Sequence, residues 1–474
     1  MNSTFKDLIN QTYPFPQKAF EVRDNALFFH QISLKNIIEK FGSPLKLTYL
    51  PIIGEKINKA KTLIENAMSK CGYEQPYISS YCTKSSHFSH ILLEVLKYNS
   101  HLEISSAFDT DIIFQLFKNG NLKKDSYILC NGFKTNNYIK GIRKLFKAGM
   151  TNVIPILDSM EELQAYESFD KNEVHIGLRM ATEEAPKSEF YSSRFGIQQS
   201  KILDFYKQKI QGHSKIKLKM LHFFVYTGIK DTKYYWNEVH KHVSTYAQLK
   251  SICPDLDSLN IGGGLPIQNS LDFNYDYQNI CDELIALIKN HCIKKDILEP
   301  IIFSEFGSFT VAESGACIFK VLGKKKQNDR ETWYIVDNTL ISTLPDMWAK
   351  KQKFLMLPIN RWNKNYIPVI LGGLTCDNDD NYSFTSNKEQ LFLPELSSNG
   401  KDPLYIGFFH TGAYQETLSG FGGIHHCLIP APKHILINRD LSGNLSYEVF
   451  LEEQQSNITL ENLGYTNKNY LNCR

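Results

Sequence analysis

Residues 81–88 read YCTKSSHF, an aromatic and β-branched run that ends on Lys84 just where a helical pattern begins. A lysine turns nucleophilic when burial or nearby positive charge lowers its pKa, and it then condenses with aldehydes. Considered alone, Lys84 reads as a solvated strand-end lysine. Two other stretches change its setting. NIGGG (260–264) stands between a strand-like run and a helical one, and its bare backbone N–H groups suit a phosphate near a helix N-terminus. By itself a glycine triplet marks a flexible turn. Glu305 closes the run IIFSE (301–305) and adds a carboxylate. These three features make a set only if the fold gathers them.

The elements that must do so alternate along the chain. Strand-like runs occur at YISSYCT (77–83), HLEISSA (101–107), SYILCNG (126–132) and NVIPILDS (152–159). VHIGLRM (174–180), KLKMLHFFV (217–225), SLNIGGG (258–264) and IIFSEF (301–306) continue the series. Helical spacing lies between them. Phe88, Ile91, Leu92, Val95 and Leu96 mark one helix, DTDIIFQLFKNG a second, and Ile139, Ile142, Leu145 and Phe146 a third. Another is expected through Glu162 and Leu163, and a long one with Tyr235, Val239, Val243, Tyr246 and Leu249 on one face. Eight βα units over roughly 250 residues are what a closed parallel (β/α)8 barrel requires. An open doubly wound sheet is the alternative, but it rarely needs eight units. The strand exits present Lys84, Glu103, Asn131, Asp158, Arg179, Thr227, the glycines 262–264 and Glu305. The C-terminal rim of such a barrel carries its chemistry.

After residue 330 the pattern changes to short strands between Asn, Gly, Pro and Asp clusters: TWYIVD, FLMLPI, YIPVILGGL, LYIGFF, KHILI and LSYEVFLEE. The expected architecture is an α/β chain with a TIM-like barrel over 41–329 and a C-terminal all-β domain over 330–474. Residues 1–40 are an N-terminal segment that contributes to the β domain through NALFFHQIS (25–33). The polar GKKKQNDRE suits a linker, and its KKK a solvated loop.

A net charge of +3 on 474 residues offers no basic stripe for nucleic acid and no polybasic membrane anchor. No run approaches the roughly 18 apolar residues of a spanning helix, and the N-terminus does not read as a signal peptide. The ten cysteines are scattered without CxxC or metal-ligand spacing, so reduced thiols and a cytoplasmic location are expected.

A phosphate cradle, a rim lysine and an acid on the last strand point together to pyridoxal 5′-phosphate. The acid would keep the pyridine nitrogen protonated, so that the ring accepts electrons from a substrate α-carbon. With these residues in hand, the chain resembles the fold type III (alanine-racemase-type) pyridoxal-phosphate decarboxylases over nearly its whole length. Within them it is most similar to the biosynthetic arginine decarboxylases. The likeness is carried by LEISSAFD, ILCNGFK, LNIGGGLP, STLPDMW followed by LPINRW, LTCDNDD and GAYQE.

The resemblance implies roles. Lys84 would bind the cofactor aldehyde, and Glu305 would pair with the ring nitrogen. Gly263, Gly264, Thr227 and Tyr414 would hold the phosphate, with Arg179 and Glu103 supporting the lysine and the ring. Cys376 and Asp377 would come from the β domain of a second subunit in a homodimer with shared sites. Asp337 matches an acid that meets the substrate's distal cation, and Asp377 and Asp379 are further candidates for a guanidinium. Two positions depart from the family. LHFFVYTG places Phe224 where a stacking histidine is usual and Tyr226 where a glycine is; SEFGS places Ser308 where an arginine is. A phenyl ring stacks without hydrogen-bonding, and a hydroxyl adds no charge to a phosphate site.

Apart from the resemblance, Cys376 reads as a small buried hydrophobe and His222 as a core histidine. His425 and His426 are adjacent, a poor spacing for a shared metal, so no metal site is expected. The expected activity is decarboxylation of a cationic L-amino acid: arginine to agmatine and carbon dioxide, in polyamine biosynthesis. Ornithine, lysine, diaminopimelate and carboxynorspermidine remain alternative substrates. A non-catalytic, protein-binding relative is the alternative of another class, and Lys84, Glu305, Cys376 and Tyr414 speak against it.

Overall fold

The computed structural model describes residues 4–169, 173–182, 194–225, 227–382, 391–397 and 402–465; Tyr226 lies outside them. The chain divides into two compact units, one of Ile53–Pro266 with Tyr275–Val311, the other of Met1–Ile52, Ile267–Asn274 and Ala312–Arg474.

The first unit is the expected barrel. Its strands are Tyr77–Cys82, His101–Ile104, Ile128–Cys130, Val153–Leu157, Val174–Arg179, Ile216–His222, Ser258–Asn260 and Ile301–Glu305. Each pairs with the next, and the last pairs in parallel with the first to close the ring, with Glu305 opposite Ser80. Closure excludes the open doubly wound sheet.

Leu129, Ile154, Ile156, Met220 and Phe303 pack together as the apolar filling of the barrel. Side chains on a strand return to the same face every second residue. Two positions beyond Leu129, Met220 and Phe303 stand Asn131, His222 and Glu305, all buried. A polar layer thus lies directly above the apolar one, at the C-terminal ends of the strands.

The long helix Lys233–Lys250 buries Tyr235, Val239, Val243, Tyr246 and Leu249, as the spacing requires, and Thr232 caps it by accepting from the Tyr235 N–H. The helix expected through Glu162 is shorter than the pattern implied. A 3₁₀ stretch (Met160–Leu163) runs into a single helical turn (Gln164–Glu167). Glu162 is turned inward there, accepting from the backbone N–H groups of Lys134 and Asp158 and pairing with the Lys134 ammonium.

The second unit is built on a ten-stranded mixed sheet. All six strand-like runs noted after residue 330 form strands in it. Four further strands complete it: Leu45–Tyr49, Gly315–Lys326, Asn381–Tyr382 and Leu391–Pro394. Gly315–Lys326 pairs with Leu45–Tyr49 on one side and forms a hairpin with Thr332–Val336, Lys326 facing Thr332. GKKKQNDRE is therefore a strand end and hairpin loop, not a linker: its charges mark where the strand leaves the core. Leu45–Tyr49 lies between Gly315–Lys326 and Lys433–Arg439, and its sequence looks no different from a barrel strand. The units accordingly divide at Ile52 and Ala312.

Residues 25–33 do not extend this sheet. Ala26–Phe29 and Ile32–Ser33 join Phe20–Arg23 in a separate three-stranded sheet. Phe20, Leu27, Phe29 and Ile32 bury their side chains in one core with Ile318, Phe409 and Ile435. Among the described residues, no helix is long and apolar enough to cross a membrane.

Candidate active site

Lys84 sits in a 3₁₀ turn (Thr83–Ser85) directly after the first barrel strand. Its Nζ donates to Glu103 Oε2 at 3.1 Å and to Cys82 Sγ at 2.7 Å. The lysine side chain is 46% exposed while Glu103 is fully buried, so the amine stands at the surface of a buried anion. Gly307 is required beside this turn, because a Cβ there would lie 2.0 Å from Ser85 Oγ.

Below the lysine the polar layer is one connected network. Asn131 Nδ2 donates to Glu103 Oε1 (2.9 Å) and to Glu305 Oε1 (3.0 Å), bridging the two acids. Asn260 Nδ2 donates to Glu305 Oε1 at 2.7 Å, and its Oδ1 accepts from the Gly262 N–H. His222 Nε2 lies 3.2 Å from Glu305 Oε2. Burial pushes the Glu305 carboxyl up, but His222, Lys84 and Asn260 more than reverse this and hold it down at about 2. Glu305 is therefore an anion deep in the barrel.

The glycine triplet is a tight backbone cradle. Gly262 and Gly264 have φ of +69° and +107°. A Cβ would lie 2.5 Å from Phe223 O at Gly262, 2.5 Å from Glu305 O at Gly263, and 2.7 Å from Gly228 Cα at Gly264. The expected helix N-terminus is not beside it. Residues 261–276 run without helix past Pro266, and the next helix starts at Tyr277. Any anion there would rely on N–H groups and on the Thr227 hydroxyl, which is buried without a hydrogen-bond partner among the described residues. A buried anion for a ring nitrogen, an amine at the rim and a side-chain-free cradle with a free hydroxyl fit pyridoxal 5′-phosphate.

Arg179 ends the fifth strand with its guanidinium 4.7 Å from the Phe195 ring centre. Burial lowers its pKa, and the charges of Asp158, Glu305 and Glu103 counter that. Phe224 lies against the glycine turn, its Cδ2 3.3 Å from where a Gly262 Cβ would stand. Ser308 is half-buried in the short helix Gly307–Val311.

The remaining candidates belong to the β unit. Tyr414 adopts φ of +66° with the Lys350 ammonium 5.2 Å from its ring centre. Cys376 is exposed, not buried as a small hydrophobe, and its Sγ is 3.4 Å from Cys427 Sγ. The Cys427 sulfur, by hydrogen bond and repulsion, pushes the Cys376 thiol up. Asp377 and Asp379 are also exposed, the Asp379 N–H donating to Asp377 Oδ1. Asp337 is half-buried, and its carboxylate accepts from Ser43 Oγ (2.7 Å) and the Lys320 N–H (2.9 Å). Burial raises its pKa.

Sequence reasoning placed Asn131 at the rim without a role and missed Asn260 and His222 as members of the site. Asn131 and His222 carried a usable signal, the step of two from the inward-facing Leu129 and Met220. His222 is a core histidine by burial, but its partner is Glu305.

Comparison with known proteins agrees with this geometry. The family profile described as "Pyridoxal-dependent decarboxylase, pyridoxal binding domain" matches residues 56–312. The biosynthetic arginine decarboxylase of Prochlorococcus marinus (strain MIT 9215) is 23% identical over 90% of this chain and 83% of that protein. Arginine decarboxylase 2 of Arabidopsis thaliana is 22% identical over 86% of this chain and 72% of its own. Among solved structures, the biosynthetic arginine decarboxylase of Campylobacter jejuni superposes with a TM-score of 0.81 at 21% identity, covering 96% of this chain and 91% of that one. Diaminopimelate decarboxylase from M. jannaschii, in complex with L-lysine, gives 0.75 at 18% identity over 95% and 97% of the two chains. With just over half its length matched by the pyridoxal-binding profile, the chain belongs to the pyridoxal-dependent decarboxylases, amino-acid decarboxylases whose cofactor is pyridoxal 5′-phosphate.

Proposed function

We propose that this decarboxylase acts on L-arginine, releasing agmatine and carbon dioxide, as a cytoplasmic homodimer serving polyamine synthesis. The observation that carries the chemistry is the buried layer in which Asn131 ties Glu103, the partner of Lys84, to the ionised Glu305. The choice of arginine draws on the motifs LPDMW and GAYQE and on relatives named as arginine decarboxylases.

When bound, the cofactor supplies a sink for the electron pair left as the carboxylate departs. Lys84 would hold its aldehyde, and Glu305 its ring nitrogen. The N–H groups of Gly263 and Gly264, with Thr227 and Tyr414, would hold its phosphate, and Phe224 would pack on its ring. Ser308 would add a hydroxyl where relatives place a charge. His222 and Asn260 keep Glu305 ionised, so it can retain a proton on the facing nitrogen. Glu103 orients the Lys84 amine, and Arg179 offsets the negative charge of the two glutamates. Cys376 of the second subunit would deliver a proton to the substrate α-carbon. Its thiol is kept protonated by the neighbouring sulfur. Asp377, Asp379 and Asp337 would receive the guanidinium.

The test is carbon dioxide release from purified protein given arginine, ornithine, lysine, diaminopimelate or carboxynorspermidine in turn. Arginine should be turned over at least tenfold faster than any other. Equal or faster release from another of these would replace the substrate and leave the chemistry standing. No release from any of them would overturn the reading.

A further inference from the structure

Two loops of the β unit bring metal-ligand side chains together. Cys376 and Asp377 lie on one, His426 and Cys427 on the other. The two sulfurs are 3.4 Å apart, and a ring nitrogen of His426 joins them so that all three donor atoms fall within 4.8 Å of one another. Asp377 Oδ2 is 3.6 Å from His426 Nε2. Zinc holds sulfur at about 2.3 Å and nitrogen or oxygen at about 2.0 Å, which sets tetrahedral ligands roughly 3.3–3.8 Å apart. The two sulfurs already stand at such a spacing, and the His426 nitrogen, within 4.8 Å of both, must close in on them. All three side chains are exposed, so an ion can reach them.

We propose that Cys376, His426 and Cys427, with Asp377 as a fourth ligand, bind a thiophilic divalent cation, zinc above all, and that the bound ion halts turnover. A disulfide would need only the two sulfurs. An imidazole within 4.8 Å of both sulfurs, with a carboxylate 3.6 Å from its nitrogen, is the complement of a borderline-soft cation. Cys427 and Leu428 both have left-handed backbones, φ +55° and +56°, at non-glycine positions. Such conformations persist where surrounding structure imposes them, often at ligand clamps. On binding, the thiols release two protons to solvent and each sulfur donates an electron pair to the metal; nothing is oxidised. The inhibitory consequence rests on the role proposed above for Cys376, whose sulfur, once a ligand, has no proton to give.

Holoenzyme stripped with a chelator and titrated with zinc chloride against a chromophoric competitor tests the site directly. One equivalent per chain should bind. Cys427→Ser and His426→Ala should each weaken binding at least tenfold, with circular dichroism unchanged. Binding unaltered in the doubly substituted chain, or none in reduced wild type, overturns the site and leaves the proposed decarboxylation untouched. Zinc should also inhibit the wild type. His426→Ala enzyme should keep its zinc-free rate and need at least tenfold more zinc for the same inhibition. Stoichiometric binding without inhibition overturns the switch and, with it, the assignment of Cys376.

Discussion

Glu305 is the residue on which the site depends most, because its charge is held among three partners inside the barrel. Replacing it with glutamine keeps the shape and the Asn260 contact while removing the anion. Glu305→Gln should lower kcat at least about a hundredfold, some 2.7 kcal/mol of barrier. Borohydride reduction should still fix the cofactor on the peptide containing Lys84. Loss of that covalent product would mean that Glu305 is needed for binding and not only for turnover. Asn131 is subtler. Asn131→Leu leaves Glu103 and Glu305 facing one another without the amide between them, so Glu103 Oε1 loses its Asn131 donor while Glu305 Oε1 keeps that of Asn260. A cost of about 1–3 kcal/mol per unsatisfied group should appear as a lower denaturant midpoint in the cofactor-free protein. Lys84, Glu103 and Glu305 were legible because charged side chains at strand ends stand out in a line of sequence. Asn131 and His222 carried only the step of two from Leu129 and Met220, since their value comes from neighbours on other strands.

At the scale of elements, the glycine triplet makes a clear demand. Gly263→Ala places a methyl 2.5 Å from the Glu305 carbonyl, so the strand end carrying the acid must move. Overpacking of this kind costs about 1–3 kcal/mol. Cofactor affinity, read by fluorescence titration, should fall at least tenfold. Unchanged affinity would show that the cradle lies elsewhere. The eight barrel strands could be read directly because each is a short apolar run bounded by polar residues and separated from the next by a helical period. Leu45–Tyr49 could not be assigned to its sheet, since its partners lie some 270 and 390 positions away (Leu45 faces Ile318 and Lys433). Nor does the charged end of Gly315–Lys326 look like strand, because only its first half is buried.

For the whole molecule, acid stability should follow its buried histidines. Burial lowers His242 and His101 to about 4, below the ordinary 6.5 of an unfolded chain. Between those values the unfolded chain binds the extra protons, so stability is full above about pH 6.5 and falls as pH drops toward 4. Each group contributes at most about 1.4 kcal/mol per pH unit across that window. Thermal melts at pH 7, 5.5 and 4.5 should show a progressive fall that His242→Gln partly removes. Subunit sharing can be tested by mixing Lys84→Ala with Cys376→Ala protein. Random reassociation makes about half the dimers mixed, each with one intact site, so recovery should approach about a quarter of wild type. A mixture that exchanges subunits but stays inactive would place both residues in one chain.

The pairing of Ile301–Glu305 with Tyr77–Cys82 also orders events during synthesis. Lys84 leaves the ribosome more than two hundred residues before the strand that brings Glu305 beside it. Until that strand docks, a nascent chain offers an amine and half a ring of polar groups, with neither the Glu305 carboxylate nor the Glu305 carbonyl that walls the glycine turn. With the roles proposed above, stable capture of the vitamin-derived cofactor should be a late event that reports closure of the barrel. Limiting the vitamin supply of an expressing cell should leave closed, empty enzyme that can be loaded afterwards, not a chain arrested midway through folding.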